Sequence, residues 1–331
     1  MRIWSMNSQR EMFKDDPWEG IGKNSYPSGR RLYLDDERFW VSRNSLSQLV
    51  FYIHDVCATV VPMITSLTSV DISIEAYQNH EQRLVCTFLE SCDTSYEKFG
   101  LVVKYVAVLT EKYNGVALFT KVQKELIEWA EFLRNGTMQL TQSELTGFWG
   151  ELYVIKNYLM EYHDVLNVIR YWAGPSGAKK DISLNSLAIE VKTTKASGAT
   201  KVSISSLDQL ERTTNKLYLM HVYINDADKE HGVSLLNLYE SIRISIEHNI
   251  EIMALFTRHA GKIFNRASLQ QKDELFSCSA VTMYDVLDDF PKLLRSDLEQ
   301  KGILDAKYTI SIASIEPFNV TEDLENIIKN G

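Results

Sequence analysis

Asp181-Ile182-Ser183-Leu184-Asn185-Ser186-Leu187-Ala188-Ile189-Glu190-Val191-Lys192 is the stretch on which the reading of this chain turns. Two short β-prone runs flank Asn185-Ser186, so the segment predicts an antiparallel pair over Asp181 to Leu184 and Leu187 to Thr193. Residues i and i+2 of a strand share a face, which sets Glu190 beside Lys192 and turns Val191 into the core. The hairpin midpoint falls between Asn185 and Ser186 and brings Asp181, nine residues upstream, opposite Glu190. Paired carboxylates bind Mg²⁺ or Mn²⁺ through hard oxygens. A neighbouring ammonium orients or helps deprotonate an attacking water and offsets the charge developing on a phosphorane. Read alone, Glu190 and Lys192 are simply an ion pair on a strand face. Other acid-x-Lys triplets stand at Glu299-Gln300-Lys301 and Asp305-Ala306-Lys307, but neither follows an aspartate placed in register by a hairpin.

Composition bounds the rest. At 331 residues, with 45 % hydrophobic and 24 % charged residues, the chain reads as a globular protein of two domains or one large one. A net charge of −9 points away from a protein that coats nucleic acid generically, while leaving room for a local basic face. Cys57, Cys86, Cys92 and Cys278 form no CxxC pair and no zinc-finger spacing, which predicts free thiols in a reduced, cytoplasmic setting. The N-terminus lacks an apolar signal core, and no run is long enough for a membrane span.

Along the chain, Pro17, Gly20, Gly22, Pro27 and Gly29 punctuate an opening loop region. Arg31 to Leu34 and Arg38 to Val41 predict a hairpin, and Val70 to Tyr77 and Arg83 to Leu89 predict further strands. Helical spacing takes over from Tyr96, clearest over Phe119 to Leu133. Asn135-Gly136 marks a helix end and a domain boundary, giving a β-rich N-terminal domain over about 1–136. Thr141-Gln142-Ser143-Glu144 is a capping-box pattern that starts a helix to about Tyr162, in which Gly147 and Gly150 allow close backbone approach. Val165 to Trp172 reads as a strand and Gly174-Pro175-Ser176-Gly177 as a turn. Lys201 to Ile204 reads as a strand, Ser206 to Arg212 as a helical turn, and Leu217 to Ile224 as a buried central strand. Helices follow over about Ser234 to His248 and Ile252 to Phe264. Ala280 to Val286 and Tyr308 to Ile312 are the last strands, with a short helix from Pro291 between them. This order predicts an α+β or α/β core over about 140–315, with residues 316–331 as a tail.

Asp181 followed by Glu190-Val191-Lys192 resembles the PD-(D/E)XK nuclease superfamily, whose fold is restriction-endonuclease-like. More closely, the chain is similar to a bacterial family of unknown function grouped with those proteins. The likeness rests on Gly147-Phe148-Trp149-Gly150-Glu151, on Trp172 to Ile182, on Ile189-Glu190-Val191-Lys192 and on Ser206-Leu207-Asp208-Gln209-Leu210. Tyr284-Asp285-Val286 and Phe290-Pro291 extend it, so that it covers most of the chain. It implies a mixed sheet flanked by helices. It also implies that Asp181, Glu190 and the Val191 backbone carbonyl ligate Mg²⁺ or Mn²⁺, that Lys192 works on the water, and that Glu151 adds a third carboxylate. Gln209 would line the site or contact the phosphate backbone. Lys180 stands where the superfamily has its proline.

From Arg170 to Lys216 basic residues outnumber acidic ones, and Lys179, Lys180, Lys195 and Lys201 are the candidate phosphate contacts. A solvated sheet edge is the plainer account of the same charge. No GxGxxG, Walker A or GxSxG motif occurs. His221, His248 and His259 read as ordinary core or surface residues, and Trp149 and Trp172 as core anchors. The resulting expectation is a Mg²⁺-dependent endonuclease acting on DNA, with bacterial restriction or anti-phage defence implied by the resemblance alone. Double-strand cutting would need a second site, from a homodimer or another defence-system subunit. The other expectation is a non-catalytic DNA-binding or scaffold subunit that keeps the fold.

Overall fold

The computed structural model describes residues 14, 16–56, 65–67, 70–76, 82–89, 93–133, 139–172, 180–197, 199–212, 214–299 and 302–331. The chain divides into two compact units, Met1–Asn135 and Gly136–Gly331. Asn135-Gly136 and the turn at 174–177 lie outside the described residues.

The first unit is an antiparallel sheet of β1 (Arg30–Arg31), β2 (Phe39–Arg43), β3 (Leu49–Val56), β4 (Thr65–Leu67), β5 (Val70–Ala76) and β6 (Gln82–Phe88), in the order β1-β2-β3-β6-β5-β4. Two helices follow, α1 (Asp93–Thr110) and α2 (Gly115–Leu133). Alternation sends Phe39, Val41, Phe51, Leu84, Cys86 and Phe88 inward, and Phe88 stacks on Phe99 of α1 at 4.1 Å. The expected hairpin at Arg31 to Val41 is present, although its first strand is only two residues long. β3, a continuous apolar run that the pattern reading passed over, is a central strand of the sheet.

The second unit opens with α3 (Gln142–Val154). Its capping box forms as the sequence predicts: Thr141 Oγ1 accepts from the Glu144 N–H at 3.2 Å, and Glu144 Oε2 accepts from the Thr141 N–H at 2.8 Å. A π-helical turn (Ile155–Leu159) and α4 (Met160–Tyr162) carry the helix on to the expected end. Val165 to Trp172 is not a strand. Asp164 caps the Leu166 and Asn167 N–H groups and starts α5 (Val165–Tyr171), which buries Val168 and Ile169 and packs on a later helix. The β-branched composition misleads here, because the apolar residues recur at helical spacing and that face finds a partner.

Next come β7 (Ile182–Ser183), β8 (Leu187–Lys195) and β9 (Lys201–Ile204), a 3₁₀ turn at Leu207–Gln209, β10 (Lys216–Asp226) and β11 (Val233–Ser234). Then α6 (Leu235–Ser245), α7 (Ile250–Phe264), α8 (Leu269–Asp273), β12 (Leu275–Asp285), α9 (Arg295–Glu299) and β13 (Tyr308–Ser311) complete the core. The short helix expected at Pro291 starts at Arg295 instead. Five strands form a mixed sheet ordered β11-β12-β10-β8-β7, with β10 parallel to β8 and antiparallel to β12. The chain is therefore a mixed α+β protein in which a mixed sheet is flanked by helices.

β8 is covered on both faces, which is why Leu187 to Val191 are all buried. On one side Ala188 joins Val202, Ile204, Leu217, Leu219 and Ile310 in a core cluster beneath the β9–β13 ribbon. On the other, α3 packs directly onto the strand. Residues 316–331 are folded onto this unit: the Val320 N–H donates to the Met283 carbonyl at 2.8 Å, and Leu324 and Ile328 are buried. Among the described residues, no helix is long and apolar enough to cross a membrane.

The two glycines of α3 divide into two roles. A Cβ on Gly150 would fall 1.8 Å from Thr193 Oγ1 and 3.0 Å from Thr193 Cβ, so helix and strand are in backbone-close contact there. A Cβ on Gly147 would meet nothing within 4 Å, so close approach does not explain that residue. Gly150→Ala is expected to lose about 1–3 kcal/mol by overpacking, whereas Gly147→Ala should gain up to about 1 kcal/mol from helix propensity. Urea denaturation of both variants checks this, and equal effects would contradict the packing described.

Candidate active site

The register that organises the site is set by backbone pairing. β7 pairs with β8 as Ile182↔Ile189 and Ser183↔Ala188, and the next position outward sets Asp181 against Glu190. The ladder stops at Ile182, and the Asp181 side chain takes over: its Oδ2 accepts from the Val191 N–H at 2.8 Å. A residue's N–H and C=O project to the same side of a strand, so the Val191 carbonyl points toward that same edge of β8.

Glu190 is only 1 % exposed and faces the β9 side of the sheet, as does Lys192. Lys192 Nζ lies 2.8 Å from Glu190 Oε1 and donates to Gln209 Oε1 at 3.0 Å. Beyond that ion pair, Glu190 Oε1 has no aligned hydrogen-bond partner. Gln209 Oε1 also accepts from the Ser205 N–H at 2.8 Å. Glu151 approaches from α3, one residue past the Gly150 contact, and its Oε2 accepts from Trp172 Nε1 at 2.9 Å. Trp172 is a core anchor as expected, but its indole N–H also holds a site carboxylate. Among the described residues no three His, Cys, Asp or Glu side chains stand together at metal-ligating spacing. Glu151, Asp181 and Glu190 thus feel one another's charge without being gathered into a preassembled trio.

The basic residues separate in the same way. Lys180 is buried, at 4 % exposure, and donates to the backbone carbonyls of Asp208 and of Gln209, the latter at 2.7 Å. It is placed inside the unit and not as a surface phosphate contact. Lys195 pairs with Asp226 at 2.6 Å and lies 6.0 Å from the Phe276 ring. Lys201 is exposed at the end of β9. Lys179 lies outside the described residues. Sequence reasoning missed three further groups. Trp172 reads as a core anchor and as the start of a family-like stretch, Asp305 only as part of an acid-x-Lys triplet that lacks an aspartate in register, and Arg295 carries no signal. Arg295 Nη2 donates to Asp208 Oδ1 at 3.0 Å, and Asp305 Oδ1 accepts from the Leu207 N–H at 3.1 Å.

Burial dominates the electrostatics. It pushes the Glu190 carboxyl up to about 8, helped by the Asp181 charge and opposed by Lys192. Burial also raises Asp181, against the Lys192 charge and the Val191 N–H. Glu151 is raised well above the carboxylate range by burial and by Asp181, against the Trp172 N–H. Burial lowers Lys180 to about 8, opposed by Glu190 and Asp208. His221, 0 % exposed and bonded through Nε2 to Thr194 Oγ1 at 2.9 Å, is lowered to about 4 and stays neutral. An all-oxygen set of buried carboxyl groups fits the chemistry of a hard divalent cation, which would take the place of their protons, and Asp181 and Glu190 are the residues that would hold it.

Glu190 binds its proton more tightly folded than unfolded, so the folded state holds more protons between the usual 4.5 and about 8. Stability therefore falls as pH rises through that window and is not lost below it. Without divalent ions, Glu190→Gln should match wild type in Tm near pH 4 and exceed it near pH 8.5, by a gap that opens in between. Mn²⁺ should then close the gap by stabilising the wild type alone. A gap that stays constant with pH would contradict the burial-driven shift.

No curated protein and no solved structure matches the chain. The model of one family, described as "Putative PD-(D/E)XK family member, (DUF4420)", matches residues 15–313, which takes in Glu151, Asp181, Glu190, Lys192 and Gln209. The chain belongs to that family.

Proposed function

We propose that this protein is a divalent-metal-dependent nuclease that hydrolyses phosphodiester bonds, with DNA as substrate and Asp181, Glu190 and Lys192 as the acting residues. The observation that carries the reading is the buried Glu190–Lys192 pair lying beside Asp181, whose carboxylate is locked on the Val191 N–H. Asp181 and Glu190 would hold Mg²⁺ or Mn²⁺, with the Val191 carbonyl on the same strand edge and Glu151 near enough to add its charge. When bound, such an ion supplies Lewis-acid polarisation and a more acidic water.

The chain's own groups do the remainder. Lys192, held by Gln209 and Glu190, keeps its ammonium aimed at one place, where it orients the attacking water and offsets charge growing on the phosphoryl oxygens. Burial of the carboxylates excludes bulk water and strengthens each of these interactions. Lys201, exposed at the end of β9, would be the surface contact for the phosphate backbone, and Lys195 would join it by exchanging Asp226 for a phosphate. The first unit would serve target recognition, dimerisation or partner binding, and service in a bacterial restriction or anti-phage system is the setting we infer for it.

Cleavage of plasmid and oligonucleotide DNA in Mg²⁺ or Mn²⁺ tests the reading. Wild type should cut, and folded Asp181→Ala and Lys192→Ala should each lose at least about a hundredfold in rate, the scale of one removed electrostatic stabiliser. Activity untouched by either change would remove these residues from the mechanism. A wild type that binds DNA but never cuts would favour the non-catalytic subunit. For binding, Lys201→Ala should lower affinity equally across sequences and reduce the salt slope by about one. An unchanged slope would place the DNA elsewhere.

A further inference from the structure

The two lysines of the site are joined through one glutamine. Lys180 directly precedes Asp181, and its ammonium donates to two consecutive carbonyls, those of Asp208 and Gln209. These belong to the Leu207–Gln209 turn, which has little to hold it in place by itself. It is three residues long, and the Ser206 side chain makes no capping hydrogen bond to it. A lone 3₁₀ turn has marginal stability in water. Its restraints come from outside: the core around the fully buried Leu207 and Leu210, Lys180 on its carbonyls, Asp305 on the Leu207 N–H and Arg295 on the Asp208 carboxylate. The same turn presents Gln209 Oε1, which accepts from the Ser205 N–H and from Lys192 Nζ. An amide oxygen with two donors has both lone pairs engaged, so the Ser205 N–H and the turn that carries Gln209 together set where it meets Lys192.

We propose that Lys180 is a positioning residue: by fixing the Leu207–Gln209 turn against the start of β7, it holds Gln209 Oε1 where that atom orients Lys192. The effect on catalysis rests on the nuclease reading, whereas the brace itself does not. A lysine of this kind differs from a phosphate contact in a measurable way. It is buried and spends its donors on backbone, so it governs the rate of the chemical step. A surface lysine governs affinity and its salt dependence.

The test uses the full chain and three readouts on Lys180→Met, with Lys180→Gln as a second variant should the first not fold. Amide hydrogen exchange at Ser205 should accelerate about tenfold to a hundredfold, the range set by a lost charge-assisted hydrogen bond. Amides of Met220 and Val222 on β10 should be unchanged. The ¹⁵N ammonium resonance of Lys192, protected in the wild type by its two acceptors, should lose that protection. In cleavage assays kcat should fall at least about tenfold with KM for DNA unaltered.

Unchanged exchange at Ser205, or an unchanged Lys192 resonance, overturns the brace. A variant with raised KM and intact kcat, which would make Lys180 a phosphate contact, overturns the positioning role in catalysis, and so does lost protection with full kcat. If the wild type cuts nothing, the nuclease reading fails, and the exchange and ammonium measurements alone decide the brace.

Discussion

Glu190 is a carboxylate 1 % exposed on a strand covered on both faces, and a charge so placed is costly unless its surroundings answer it. Much of the second unit can be understood as that answer. Lys192 sits two residues along on the same face, within 2.8 Å, and Gln209 fixes the lysine from the other side. Asp181 adds a second negative charge, tied to a backbone N–H of the same strand and not to a cation. The two lysines near the carboxylates, Lys192 and Lys180, leave negative charge in excess once Glu151 is counted. Burial is the main cause of the raised proton affinity of all three acids, and the neighbouring Asp181 charge adds to it at Glu151 and Glu190.

Packing puts the charges there. Gly150 lets α3 lie on Thr193 of β8 with no side chain between, and the next residue along the helix is Glu151. Trp172, at the end of α5, turns its indole N–H to that carboxylate while its ring packs near Phe148 and Phe256. On the opposite face, the β9–β13 ribbon and Leu210 cover Ala188, and the Leu207–Gln209 turn brings Gln209 to Lys192. Helix contact on one face and turn contact on the other thus meet at one strand, β8.

The parts of this arrangement that obey local periodicities were legible in the sequence. The hairpin about Asn185-Ser186 has the register that its midpoint dictates, and the capping box at Thr141 forms as written. Leu217 to Ile224, apolar but for His221, lies within the central strand of the mixed sheet. What the sequence hid depends on tertiary partners. Val165 to Trp172 is rich in strand formers but becomes helix, because Asp164 caps it and Val168 and Ile169 find a helix to pack on. Lys180 reads as half of a basic pair and turns out to be buried, since nothing local announces that two carbonyls from a turn 28 residues onward will receive it. Gly147 and Gly150 look alike in sequence, and only the position of Thr193 tells them apart.

The proposal at the centre of the function is that Asp181 and Glu190, with Glu151 close by, take up a divalent cation. The most direct measurement is a crystal structure soaked in Mn²⁺, read by anomalous scattering. The account predicts one strong peak at ligating distance, roughly 2.0–2.2 Å, from Asp181 and Glu190 oxygens, with Glu151 drawn toward it and Lys192 still on Gln209. A crystal with no peak there, and with Asp181 still on the Val191 N–H and Glu151 still on the Trp172 indole, would contradict it.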